Sequence, residues 1–269
     1  MDEGTPVLNA LFASRRPIIG VVHLMPLPGS PRYGDSLAEV TDRACADARS
    51  YIDGGLDGLI LENYGDLPFF PGPVPPETVA AMTVAAGEIS RMTDRPLGIN
   101  VLRNDALSAL GIAVAAGAAF IRVNVLMGAS VTDQGIIQGP AHRLLRRRRE
   151  LGGGVRIFAD VLVKHAHPLG RADAAESARE LLGRGLADVL IVTGLATGRE
   201  PAGDELKVVK EVAGKSPVLA GSGVDPGNVS RILSVADGAI VGTSLKRDGR
   251  TEHEVDIERV KALLASLGR

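Results

Sequence analysis

Short runs of Val, Ile and Leu recur along the chain, each bounded by glycine or proline and each followed by a longer segment of helical period. The runs fall at 18–23, 58–62, 97–101, 120–124, 155–161, 188–192, 217–220 and 238–241. Runs of four to eight apolar residues with such boundaries predict buried parallel strands. Amphipathic segments predict helices over 36–54, 76–93, 104–117, 140–151, 172–185, 203–213, 226–235 and 256–267. Gly54-Gly55, Gly117 and Gly185 lie where a left-handed residue closes a helix, and Asp225-Pro226 reads as a cap followed by proline at the first helical position. Eight consecutive βα units predict an α/β fold of the (β/α)8 TIM-barrel, phosphate-binding type, with the doubly wound sheet as the alternative. Residues 1–16 read as an N-terminal extension and 17–269 as one barrel domain.

Polar residues interrupt this pattern at one end only. Catalytic groups of such barrels sit at the C-terminal ends of the strands. Here the first strand ends in His23, the second in Glu62-Asn63, and the third carries Asn100 and leads to Arg103 and Asn104. The fourth carries Arg122 and Asn124, the fifth Asp160 and then Lys164-His165, and the sixth Thr193-Gly194. Asp160, Lys164, His23 and Glu62 are the candidate catalytic groups. Asn63, Asn100, Asn104, Arg122, Asn124, His165 and Thr193 are the candidate substrate-binding groups. Several have plain structural readings: His23 as a core histidine, Glu62 in a salt bridge with Arg122, the asparagines bonded to backbone. Asp160 and Lys164 share strand parity if the strand runs that far. The lysine is then an electrophile binder, an imine-forming nucleophile or a charge partner.

The last units carry a more specific signal. Strand seven leads into Gly221-Ser222-Gly223-Val224-Asp225-Pro226, and strand eight into Gly242-Thr243-Ser244-Leu245-Lys246. Loops after strands seven and eight, with a short extra helix, hold phosphate in many barrels. Gly194, Gly221, Ser222, Gly223, Gly242, Thr243 and Ser244 are the expected cradle, because glycines let N–H groups approach phosphate oxygens and hydroxyls add donors. The residues from Thr243 to Lys246 read as the opening of the extra helix.

Composition narrows the function classes. With 30 basic against 32 acidic residues and a formal charge of −2, the 269-residue chain lacks the basic footprint of a nucleic-acid binder. One cysteine excludes an internal disulfide, and no apolar run reaches membrane-span length. An acidic N-terminus without a secretory signal predicts a cytoplasmic protein. Trp is absent and aromatics are 3%, which poorly suits an aromatic ligand groove. No motif demands a cofactor, and no residues are assigned to a metal. A divalent ion such as magnesium between Glu62 and Asp160, or a metal on His165 and His167, are minor alternatives. Residues 63–76, with five prolines and Phe69-Phe70, and residues 125–139 read as long loops that serve as lids or as a subunit interface, which leaves a homo-oligomer open. Arg146–Arg149 cover all sides of a helix and read as a solvated face.

Taken together, His23-Leu24-Met25-Pro26-Leu27-Pro28-Gly29-Ser30-Pro31, Glu62-Asn63-Tyr64-Gly65-Asp66, Asn100–Asp105, Phe120–Asn124, Thr132–Gly135 and Asp160–Ala166 resemble the BtpA family of photosystem I biogenesis and SgcQ-like proteins, from about residue 17 to the C-terminus. The resemblance implies a phosphate-binding TIM barrel in a family with no established shared reaction. The expectation is an enzyme of isomerase, aldolase or lyase type acting on a phosphorylated small molecule such as a sugar phosphate. The alternatives are a non-catalytic photosystem I biogenesis, stability or assembly factor, and a phospho-ligand sensor.

Overall fold

A computed structural model describes residues 5–163, 165–194 and 203–269; Lys164 therefore lies outside the described residues. Eight parallel strands close in the order β1 (Ile18–His23), β11 (Gly238–Val241), β10 (Val218–Ala220), β9 (Val189–Val192), β7 (Arg156–Val161), β4 (Phe120–Val123), β3 (Leu97–Asn100) and β2 (Gly58–Glu62). The main helices between them are α2 (Leu37–Asp53), α3 (Pro76–Met92), α4 (Ala106–Ala116), α5 (Ala141–Glu150), α6 (Ala174–Gly183), α7 (Gly203–Ala213) and α8 (Val229–Leu233), with α9 (Ile257–Ala265) after β11. The TIM barrel expected from the eight runs is the observed fold. Among the described residues no helix is long and apolar enough to cross a membrane.

The strand period of two sets what fills the barrel. Ile19 and Val21 of β1, Ile60 of β2, Phe120, Phe158, Val189, Ile191, Leu219 and Ile240 form one buried cluster, separate from the larger shell between strands and helices. Phe120 stacks on Phe158 with ring centroids 4.2 Å apart. The short helix α1 (Pro6–Leu11) adds Leu8 to this cluster, and Phe12 after it meets Phe120 edge-on at 6.1 Å. Gly58 and Gly98 make room for these rings, since a Cβ at either would strike Phe12 or Phe120. The same parity, carried one step further along the strands, points His23, Glu62, Asn100, Arg122 and Asp160 inward. Register confirms the level: His23 pairs with Glu62 and Glu62 with Asn100 across neighbouring strands.

Several local expectations are corrected. Gly117 (φ 71°) and Gly55 (φ 96°) take the left-handed conformation, but Gly185 does not, and Leu186 carries the positive φ of 48°. Gly185 is instead a close-approach position, where a Cβ would lie 2.7 Å from the Leu181 carbonyl oxygen. Asp225 does not cap a helix starting at Pro226. Its Oδ1 accepts from Gly227 and Asn228 N–H in a local turn, and the helix is delayed to Val229. The extra helix after β11 is a single 3-10 turn, Thr243–Leu245, followed by another at Arg247–Gly249. Lys246, at the end of that segment, is fully buried and bonds Asp47 of α2 at 2.7 Å.

Residues 125–139 are not an irregular loop. They form a hairpin, β5 (Ala129–Thr132) and β6 (Gly135–Gln138), joined by Asp133-Gln134, with β8 (Ala166–Pro168) added on the other side of β5. Strand β7 ends at Val161 and the backbone turns at Leu162 (φ 50°), so the strand does not run on as the shared parity of Asp160 and Lys164 required. The arginine run lies on α5, where Arg147 pairs with Glu150 and Arg148 with Asp188.

Candidate active site

The inward residues at the top of the barrel form two linked pairs. Arg122 donates from Nε and Nη2 to the two oxygens of Asp160, both at 3.0 Å, and Asn124 Nδ2 donates to Asp160 at 2.9 Å. Neither carboxylate oxygen of Asp160 is left unengaged, and its side chain is fully buried. Burial pulls the Arg122 pKa down, but the adjoining Asp160 carboxylate outweighs it and holds the guanidinium above its ordinary value. Glu62 accepts from Asn100 Nδ2 at 2.6 Å and faces His23 Nε2 at 4.0 Å. The Glu62–Arg122 salt bridge considered from sequence is therefore not the direct pairing; Asp160 takes that place. Among the described residues no group of three or more His, Cys, Asp or Glu could hold a metal.

A cavity of about 390 Å³ opens above these groups. His23, Glu62, Tyr64 and Arg122 form one wall, and Gly221, Ser222, Gly223, Gly242, Thr243 and Ser244 form the other. Gly242 is required by this packing, because a Cβ there would lie 2.8 Å from His23 Cε1. Thr243 Oγ1 and Thr251 Oγ1 are 2.9 Å apart. Ser244 donates its hydroxyl to the Val224 carbonyl at 2.6 Å, so it braces the two loops and has no proton left to donate to an anion. Ser222 Oγ accepts from Gly194 N–H at 2.7 Å, which places Gly194 behind the cradle. Thr193 is buried there too, with its Cγ2 3.0 Å from where a Gly221 Cβ would sit.

Two predicted asparagines serve the loops instead of the cavity. Asn63 accepts from Leu102 N–H at 2.7 Å and donates to Asp66 at 3.0 Å, and Asp66 in turn accepts from Leu27 N–H at 2.8 Å. Asn104 exchanges two hydrogen bonds with the Val125 backbone, at 2.8 and 2.9 Å. Gly65 packs so closely on Met25 and Pro26 that no Cβ fits, and its N–H donates to Leu24. The loops after β1, β2, β3 and β4 are thereby tied into one frame. Burial raises the Asp66 pKa, against the lowering effect of its two donors.

A second lobe of about 670 Å³ adjoins the first and shares Glu62, Tyr64 and Arg122 with it. His165 and His167 line it together with Arg103, whose Nη2 donates to the His165 carbonyl at 3.1 Å. Burial lowers the Arg103 pKa, while Asp133, Asp160 and Glu62 act in the opposite direction.

Residues 14–269 match the family model described as BtpA family. The chain belongs to the BtpA family. Among its relatives, photosystem I biogenesis protein BtpA of Synechocystis is 47% identical over 95% of this chain and 89% of the relative. An uncharacterized protein of Pyrococcus furiosus is 48% identical over 96% and 97% of the two chains. The putative sgc region protein SgcQ of Escherichia coli is 32% identical over 96% of each. Phosphoribosyl anthranilate isomerase of Thermus thermophilus superposes with a TM-score of 0.57 at 13% identity, covering 94% of this chain and 98% of that one. That degree of likeness speaks to the barrel alone. In this BtpA-family chain the long distinctive motifs after β1, β2 and β3 are the interlocked loop frame just described, whereas the inward residues line the cavity.

Tyr64, Arg103 and Thr251 were not among the candidates. Tyr64 sits edge-on to His23 with ring centroids 5.1 Å apart, and burial followed by the Glu252 charge raises its pKa. Its signal was available: an aromatic directly after a polar strand end in an aromatic-poor chain. Arg103 could have been found from the same polar run as Asn100. Thr251 has no local signal, because only the folding of the last loop brings it to Thr243.

Proposed function

We propose that this protein is an enzyme acting on a phosphorylated small molecule, with the phosphate between the β10 and β11 loops and the reacting carbons beside Glu62. One observation carries the reading: a single cavity joins Gly221–Gly223 and Gly242-Thr243 to the His23–Glu62 pair and the Arg122 guanidinium. Backbone N–H groups at Gly223 and Gly242 and the Thr243 hydroxyl hold phosphate oxygens, whereas the Gly221 N–H is donated to the Val192 carbonyl at 2.8 Å. Glu62 takes a proton from a carbon beside a carbonyl. Arg122, with its Nη1 not committed to Asp160, stabilises the oxyanion that develops, and His23 returns a proton. Asp160 and Asn100 do not meet the substrate in this scheme; they fix Arg122 and Glu62. The sequence of steps serves isomerisation, and with a leaving group at the next carbon it serves lyase-type β-elimination; in retro-aldol cleavage Glu62 would instead take the proton of a hydroxyl on that next carbon, the bond between the two carbons breaking to leave the enolate on Arg122. Imine formation would need Lys164.

Thermal unfolding in the presence of inorganic phosphate and a panel of sugar phosphates, in wild type and Thr243→Glu, tests the cradle. A ligand at 100 times its Kd adds about 2.7 kcal/mol, which at this chain length raises Tm by roughly 5–10 °C. The shift is expected in wild type and lost in the variant. A flat response in both overturns the phosphate reading. The name of the Synechocystis relative favours a second reading, an assembly factor for a membrane complex. Under it, Glu62→Gln and His23→Asn preserve function in cells; under the enzyme reading they abolish it.

A further inference from the structure

The lobe beyond Glu62 is larger than the phosphate end and differs in character. Its walls include Leu67, Phe69, Leu102, Val131 and Val163 alongside Tyr64. The chain has no Trp and only five Phe and three Tyr. Phe12, Phe120 and Phe158 fill the barrel floor and Tyr51 is fully buried, yet two of the remaining aromatics, Tyr64 and Phe69, line this lobe. The expectation that so few aromatics disfavour an aromatic groove is therefore reversed locally: tertiary structure gathers them.

A second, independent observation comes from Asn124. It is 5% exposed and lines the lobe, and its Nδ2 is spent on Asp160. Its Oδ1 is buried with no hydrogen-bond partner. An unsatisfied buried acceptor is destabilising, and a ligand donor would recover that cost. The acceptor sits next to Arg122 on the β4 strand end, so a donor reaching it lies at the border of the reacting centre and the lobe. A cavity of about 390 Å³ already accommodates a small phosphorylated sugar, given that ligand sites span about 300–1,000 Å³. The additional 670 Å³ has no role for such a substrate.

We infer that the substrate is a phosphorylated sugar or polyol bearing a planar, largely apolar ring, which occupies the lobe walled by Phe69, Leu102, Val131 and Val163 and donates an N–H or O–H near its attachment point to Asn124 Oδ1. This rests on the phosphate reading above and specifies its substrate class. The ring enters against apolar side chains that offer dispersion contacts, and the donor fixes which way it lies. Arg103 holds the His165 backbone at the rim, keeping the β8 side of the lobe in place.

Calorimetric titration with three probes tests the inference: inorganic phosphate, ribose 5-phosphate and 1-anilino-1-deoxyribitol 5-phosphate, a polyol phosphate with an apolar phenyl ring and an N–H at its attachment point. The ring-bearing probe is expected to bind at least tenfold more tightly than ribose 5-phosphate. Val131→Trp projects bulk into the lobe from a residue that is 41% exposed, so folding tolerates it. It should erase the tenfold advantage and leave ribose 5-phosphate binding unchanged. Thr243→Glu should remove both organic phosphates. Equal affinity for the two in wild type overturns the ring assignment while the phosphate reading stands. An advantage that survives Val131→Trp also overturns it. Failure of all three probes overturns the phosphate reading on which the inference depends.

Discussion

Asp160→Ala removes the carboxylate to which Arg122 donates from Nε and Nη2. Arg122 is 5% exposed and Asp160 is fully buried, so solvent cannot replace the lost partner. The next carboxylate acting on Arg122 is Glu62, which Asn100 already engages. Breaking one side of a buried pair costs about 3–5 kcal/mol, because the remaining charge stays desolvated and uncompensated. At roughly 2–4 °C per kcal/mol for chains of this size, Tm should fall by about 6–20 °C. Urea denaturation followed by circular dichroism gives the free energy directly, from the shift in midpoint at unchanged slope. Arg122→Met with Asp160→Leu is the decisive control. It removes both charges with apolar volume retained, and should recover most of the loss, since such replacements are often neutral or better. The double variant should nonetheless bind no substrate analogue productively. A single-variant loss under about 1 kcal/mol, or a double variant as unstable as the single, would refute the argument that an uncompensated buried charge sets the cost.

Asp47→Ala should destabilise by a similar amount, about 3–5 kcal/mol, because it strands fully buried Lys246 and also deprives Val255 N–H of its acceptor; equilibrium unfolding measures it, and Lys246→Met should cost less, since Arg43 still faces Asp47. Gly242→Ala should weaken turnover and ligand binding more than stability, because the new methyl must displace the His23 ring; paired thermal and kinetic assays separate the two effects. Asp66, raised by burial above 3.8, favours the fold in its protonated form. Its contribution is complete below that value and is lost as pH rises through the folded pKa, and a carboxyl ¹³C titration should place its midpoint above 3.8.

The alternation of inward and outward residues was legible in the chain, and with it the barrel and the ring of polar strand ends. Period two suffices to turn His23, Glu62, Asn100, Arg122 and Asp160 inward at the same end of the barrel, because each strand contributes its own residue independently of the others; Asp160 stands two residues beyond the register partner of Arg122, Phe158. Which of them pair was not legible. Glu62–Arg122 and Arg122–Asp160 are equally plausible from spacing, and only the angular positions around the closed barrel select the second. The loop frame was likewise hidden: Asn63, Asp66, Leu27 and Leu102 each look like ordinary turn residues until 39 residues of separation are folded to contact. The hairpin at 129–138 had a local signal, β-branched Val131, Thr132, Ile136 and Ile137 around a two-residue turn, but its third strand comes from beyond β7. Lys246 makes the same point most sharply. In sequence it closes a phosphate-loop motif; in the fold its nearest carboxylate is Asp47, 199 residues away, and that partner decides its role. Hydrophobic periodicity is a local property and survives without the fold, whereas the partner of a buried charge is fixed by packing alone.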